Sequence, residues 1–126
     1  MSVKFFVCPE DHTIVEVYTE ATAKLDCNGH PMKELKGNTT EAALEKHIPV
    51  VEVEGSKVTV KVGSVLHPMV PEHYIEWIYL ETQRGGQRVN LQPGQDPIAQ
   101  FALAEGETVV SCYAYCNLHS LWKAEL

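Results

Sequence analysis

No stretch of this chain approaches the roughly twenty consecutive apolar residues that a membrane-spanning helix needs, so no membrane association is expected. The opening run, Met1-Ser2-Val3-Lys4-Phe5-Phe6-Val7, gives way to Cys8 and Pro9 too soon to supply the apolar stretch of a secretory signal, and the cytoplasm is the expected compartment. Basic residues are scarce. Ten Lys and Arg stand against seventeen Asp and Glu, a formal charge of −7 with no basic cluster, which repels a phosphate backbone and argues against nucleic acid as a partner. Several catalytic signatures are also missing: there is no G-x-S-x-G elbow, no phosphate-binding glycine loop and no dinucleotide fingerprint. Gly85-Gly86 reads as a hairpin turn instead. Nucleotide and flavin cofactors are therefore not expected, and the chain has no internal repeat or low-complexity tract.

What is present fits one main domain with a small appendage. At 126 residues, 44% hydrophobic and 21% charged, the chain has the composition of a globular protein with a real core. The pattern changes near Gly37, which divides the chain into 1–36 and 37–126. The first part holds Cys8, His12, Cys27 and His30, two short β-prone runs (Val3 to Val7 and Thr13 to Tyr18) and a turn at Asn28-Gly29-His30-Pro31. A piece this small buries little and needs a metal, a disulfide, a partner chain or docking onto the rest. From Asn38 the pattern turns helical: Asn38 or Thr39 can cap, Ala42, Ala43 and Leu44 favour helix, and Pro49 ends it by Ile48. Beyond Pro49 the chain reads as strands. Val58, Val60 and Val62 alternate with polar residues, Tyr74 to Thr82 is aromatic and β-branched, and Gln87 to Leu91 follows a glycine turn. Thr108 to Tyr115 is a further strand, placing Val110, Cys112, Ala114 and Cys116 on one face, with Cys112 a small core residue. The expected fold is mainly β, an antiparallel sandwich with one short helix.

Five side chains then stand out as candidate metal donors. His47 follows the helix, His67 and His73 bracket a loop whose Pro68 and Pro71 exclude helix, and Cys116 and His119 end the last long strand. A lone histidine is more often a hydrogen-bonded surface or core residue than a ligand. The group is another matter, because loops at one end of a sandwich can bring it together. One thiolate and four imidazoles exceed the four ligands of a structural zinc site and leave a six-coordinate metal one open position. Such donors suit iron, copper or zinc and disfavour magnesium or calcium. A copper electron-transfer sandwich also uses a Cys followed closely by His, but Ser120, Leu121 and Trp122 stand where its Met is commonly found, and two imidazoles would be idle. A noncatalytic zinc-stabilised interaction domain is the third reading.

Glu45-Lys46-His47-Ile48-Pro49, His67-Pro68, Pro71-Glu72-His73-Tyr74-Ile75-Glu76-Trp77-Ile78 and Cys116-Asn117-Leu118-His119-Ser120-Leu121-Trp122 resemble, in order and spacing, the iron-site motifs of the superoxide reductases, the desulfoferrodoxin/neelaredoxin family. The resemblance covers almost the whole chain. It implies an immunoglobulin-like sandwich holding a mononuclear non-haem iron with His47, His67, His73 and His119 around it and Cys116 axial. It further implies one-electron reduction of superoxide to hydrogen peroxide, with Lys46 steering the anion and Glu45 closing onto the metal afterwards. A rubredoxin-like electron donor and a homodimeric or tetrameric assembly follow from the same likeness. The segment 1–36 resembles the small desulforedoxin-like domain of longer members, but Cys8, Asp11, Cys27 and Asn28 stand at its four cysteine positions. Half the thiolates are missing, so a four-cysteine iron centre is not expected. Cys8, His12, Cys27 and His30 could instead hold a second metal, zinc being the candidate, or the thiols could be unliganded or paired as a disulfide.

Overall fold

The computed structural model describes residues 3–20 and 22–126. The chain divides into two compact units, Met1–Lys36 and Gly37–Leu126.

In the first unit, strands β1 (Lys4–Val7), β2 (Ile14–Val17) and β5 (Lys33–Leu35) form an antiparallel sheet in the order β2-β1-β5, and β3 (Asp26–Cys27) pairs with β4 (His30–Pro31). The β3–β4 turn uses Asn28 and Gly29 at positive φ, 48° and 82°, the handedness that a two-residue hairpin requires. Cys8, at the end of β1, is joined to Cys27 in a disulfide. That bond is the disulfide alternative, and it leaves a second metal at Cys8, His12, Cys27 and His30 without support. A cysteine binds metal as its thiolate, and both sulfurs are committed to each other. His30, moreover, pairs with the carboxylate of Glu10. The staple serves a unit too small to bury much, with Phe5 and Cys8 as its buried apolar residues among those described.

The second unit is the sandwich. After a single helical turn, α1 (Leu44–His47), come β6 (Pro49–Glu54), β7 (Lys57–Val62), β8 (Ile75–Thr82), β9 (Gly85–Asn90), β10 (Ile98–Ala102), β11 (Val109–Cys116) and β12 (Ser120–Glu125). They form two antiparallel sheets, β10-β7-β6 and β12-β11-β8-β9. The alternation read from Val58, Val60 and Val62 puts all three in the core, where they meet Ile78 and Leu80 of β8, Phe101 of β10 and Cys112 and Ala114 of β11. The fold is thus the mainly β, antiparallel sandwich that the strand pattern predicts.

Two local expectations fail. The helix is four residues long rather than reaching back to Asn38, and Ala43, at its N-cap, provides no side-chain cap. Asn38 is otherwise engaged: it sits in a turn at φ 62°, and its side chain donates to the Lys123 carbonyl (3.0 Å) and accepts from the Lys123 amide (2.8 Å), tying that turn to β12. Val110 does not share the core face of β11. A register shift between Val109 and Ser111 turns it outward, 42% exposed, and Val109 packs on the core in its place.

A second irregularity bears on the site. Cys116 pairs with Ile75 and Tyr115 with Trp77, leaving Glu76 as an extra residue in β8. The shift lets both Ile75 and Ile78 point inward beside Cys116, while Trp77 and Tyr115 stack on the opposite face, 5.6 Å apart and 9° from parallel. Among the described residues, no helix is long and apolar enough to cross a membrane.

Candidate metal centre

Each of the five donor residues sits at the edge of a regular element, where the backbone can turn its side chain toward one point. His47 closes α1, just before Pro49 starts β6. His67 follows β7 through a turn held by its own amide donating to Val62 O (2.8 Å). His73 lies in the loop entering β8, fixed by reciprocal backbone bonds with Val70 (3.0 Å each). Cys116 ends β11, and His119 occupies the turn into β12, where Ser120 adopts φ 65°.

The ligand atoms of His47, His67, His73 and Cys116 all lie within 4.8 Å of one another. His119 brings its Nδ1 to 3.1 Å from His47 Nε2 and 3.8 Å from Cys116 Sγ. The four rings form a pinwheel. Successive pairs, 47–67, 67–73, 73–119 and 119–47, stand at 79°, 82°, 78° and 84°, with centroids 4.6 to 5.1 Å apart. His47 and His73 face across it at 6.3 Å.

Hydrogen bonding fixes the tautomers of two of the rings. His47 Nδ1 donates to Ala43 O (2.8 Å) and His67 Nδ1 to Pro68 O (2.7 Å); a carbonyl can only accept, so each Nδ1 carries the hydrogen and each Nε2 presents a lone pair. Those two Nε2 atoms lie 3.2 Å apart. His73 Nε2 is buried with no hydrogen-bond partner among the described residues, a costly arrangement unless something fills the centre. Backbone carbonyls holding the outer nitrogens are the usual outer support of metal-bound imidazoles.

Electrostatics favour the same occupant. Burial pulls the His47 and His73 imidazoles below their ordinary range and takes His67 down to about 4, keeping all three neutral at pH 7. Burial also raises the Cys116 thiol, against amide hydrogen bonds from His119 and Leu118. Neutral imidazoles with one soft sulfur fit a transition metal such as iron, and five donors leave a six-coordinate ion one free position.

Sequence reasoning gave no role to three residues that build this centre. Asn117 staples the His73 loop to the Cys116 turn: its Oδ1 accepts from Tyr74 N (2.9 Å), its Nδ2 donates to Glu72 O (3.1 Å), and its amide donates to Tyr74 O (3.2 Å). Trp122, fully buried, donates from Nε1 to His119 O (3.0 Å) and lays its ring 4.7 Å from that of His47. Gly63 abuts the backbone of Glu45 and Lys46. An Asn between two ligands in a turn, and a Trp soon after them, were the available signals. Glu45 and Lys46 both lie exposed on α1, and the Lys46 charge is felt at His47 and His73.

Fold and site together define a β-sandwich protein in which four imidazoles and one cysteine sulfur converge as candidate metal donors. The chain belongs to the desulfoferrodoxin family, whose model matches residues 39–125. A desulfoferrodoxin homolog of Archaeoglobus fulgidus is 44% identical over 122 residues, 97% of this chain and 96% of that one. Among solved structures, a superoxide reductase from Treponema pallidum superposes with a TM-score of 0.84 at 39% identity, covering 99% of this chain and 100% of that chain. A superoxide reductase (1Fe-SOR) from Giardia intestinalis gives 0.54 at 33% identity, covering 65% of this chain and 99% of that one.

Proposed function

We propose that this protein is a superoxide reductase, converting superoxide to hydrogen peroxide with one electron and two protons drawn from solvent, at an iron held by His47, His67, His73, His119 and Cys116. The observation that carries the reading is the buried, unpartnered Nε2 of His73 beside the converging lone pairs of His47 and His67. A bound ferrous ion would supply one electron and a vacant coordination position for an anion. The residues supply the rest. Three imidazoles kept neutral by burial leave the cation's charge uncancelled, so that an anion is attracted. Cys116, as thiolate, would donate electron density to a bound metal and tune its potential. Lys46, exposed on α1 next to His47, adds positive charge to a chain of net charge −7 and steers superoxide to the rim. Glu45, exposed on the same turn, would be the carboxylate available to close onto a bound metal.

Each turnover consumes one external electron, which we assign to a small one-electron donor of the rubredoxin kind. Exposed Leu44, Val65, Leu66, Val70 and Leu118 each lie within three residues of a donor side chain, and such an apolar rim suits brief docking of a redox protein. By family likeness we further propose that the chain works in the cytoplasm as a homodimer or tetramer. In this reading 37–126 is the catalytic domain, and 1–36 is a desulforedoxin-like segment whose disulfide replaces a metal centre.

The direct test is reaction of the reduced, iron-assayed protein with superoxide by pulse radiolysis or stopped flow. Fast oxidation with one peroxide formed per iron is expected. No reaction from a fully loaded ferrous protein would overturn the assignment.

A further inference from the structure

Three contacts converge on one peptide carbonyl beside the site. Glu45 O accepts from Val65 N at 2.9 Å and from Ser64 Oγ at 3.3 Å. The Gly63 backbone lies against the same peptide: a Cβ added there would collide with the Glu45 carbonyl oxygen and come within 2.9 Å of the Lys46 carbonyl carbon. Both neighbours are backbone, so neither can swing aside as a side chain would. The need for glycine here is one of space, a close backbone approach, rather than of a positive φ. The turn also closes on itself, with His67 N donating to Val62 O at 2.8 Å. One five-residue turn, 63–67, thus carries a proposed metal ligand and grips the peptide from which Lys46 projects.

We infer that Gly63 is a positioning residue for Lys46, its bare backbone letting the turn seat against the Glu45–Lys46 peptide so that the Lys46 side chain springs from a fixed point beside the metal centre. The inference rests on the proposed reduction of superoxide. It assigns the steering charge a fixed attachment point, tied through one turn to His67 on one side and through the chain to His47 on the other. An attachment that drifted would spread the same charge over a larger volume and weaken the local field.

The test is a double-mutant cycle between Gly63→Ala and Lys46→Ala on iron-loaded protein at low ionic strength, with amide exchange at Val65 followed on zinc-loaded protein. Gly63→Ala is expected to slow the reaction with superoxide by about tenfold and to flatten its salt dependence at full iron occupancy. It should add no further slowing in the Lys46→Ala background, because the two act through one charge. Val65 exchange should rise in Gly63→Ala and stay unchanged in Lys46→Ala. A rate for Gly63→Ala equal to wild type, penalties that multiply, or an unaltered Val65 amide would each overturn the positioning role. If Gly63→Ala does not fold, Ser64→Ala removes one hydrogen bond to the same carbonyl; its smaller slowing must also vanish in the Lys46→Ala background, and an independent penalty refutes the inference. A wild-type ferrous protein inert to superoxide would overturn the function itself, an outcome distinct from a reactive wild type matched by Gly63→Ala.

Discussion

His47 and His67 turn their Nε2 atoms toward each other across 3.2 Å with no hydrogen between them. Each ring has committed its one hydrogen to a backbone carbonyl through Nδ1, at Ala43 and Pro68 respectively. The contact has the distance of a hydrogen bond and the chemistry of two opposed lone pairs. A cation resolves it, and the proton inventory of metal binding follows.

At pH 7.5 the His47, His67 and His73 imidazoles are already deprotonated by burial, whereas the Cys116 thiol, raised by the same burial, still holds its proton. Binding of a divalent metal to the metal-free protein should release close to one proton, from Cys116. Calorimetry in buffers of differing ionisation enthalpy measures it. A value near zero would mean that the sulfur does not ligate as a newly formed thiolate.

The same burial makes metal-free stability pH-dependent. His67 has a folded pKa of about 4 against an ordinary 6.5, so above 6.5 neither the folded nor the unfolded chain carries its proton and the contribution is complete. As pH falls from 6.5 toward 4, the unfolded chain takes up a proton that the fold refuses, and stability is lost; below 4 both forms are protonated and the loss is complete. The melting temperature of the metal-free protein should drop across that window, less steeply in His67→Gln. An identical slope in the variant would remove His67 from the account.

Cys116→Ser replaces the polarisable sulfur with a hard oxygen in a core position that is fully buried. The thiolate-to-ferric charge-transfer absorption should disappear and turnover with it, while the histidines still bind metal. An unchanged visible spectrum would show that the sulfur is not a ligand.

The disulfide between Cys8 and Cys27 closes a loop with a sequence separation of 19. A cross-link of that span contributes roughly 3 kcal/mol by restricting the unfolded chain. Cys8→Ser should therefore make 1–36 sensitive to limited proteolysis while leaving metal content and the visible spectrum of the sandwich unaltered. Loss of bound iron in this variant would contradict the placement of every metal donor in 37–126.

The strands with strict alternation were readable because burial on one face imposes a period of two, as in Val58, Val60 and Val62. Spacing at strand and loop ends singled out the five candidate donors as a group and the family resemblance gave them a shared role; what the structure adds is that their side chains converge. The extent of the helix was not: Ala42 and Ala43 favour helix, yet the bonds between Asn38 and Lys123, 85 residues away, outcompete that local preference. Val110 was misplaced because a bulge breaks the period without altering composition. Asn117, Trp122 and Gly63 were given no role for a shared reason. Their contributions are distances to segments remote in sequence, whereas a ligand announces itself by its own chemistry. The pairing of Cys8 with Cys27 was one of several outcomes that the first segment's small size left open.

The pinwheel of imidazoles has one more consequence, for the chain as a polymer. Its members come from four separate stretches, and His47 meets His119 across 72 residues. A single ion at their centre would act as a multi-way crosslink, closing several long loops at once with only small entropic cost for each added residue of span. Loading metal would then add a second fastening, beside the Asn38–Lys123 bonds, between the beginning of the sandwich and its last hairpin, and stripping it would leave those bonds to hold the two alone.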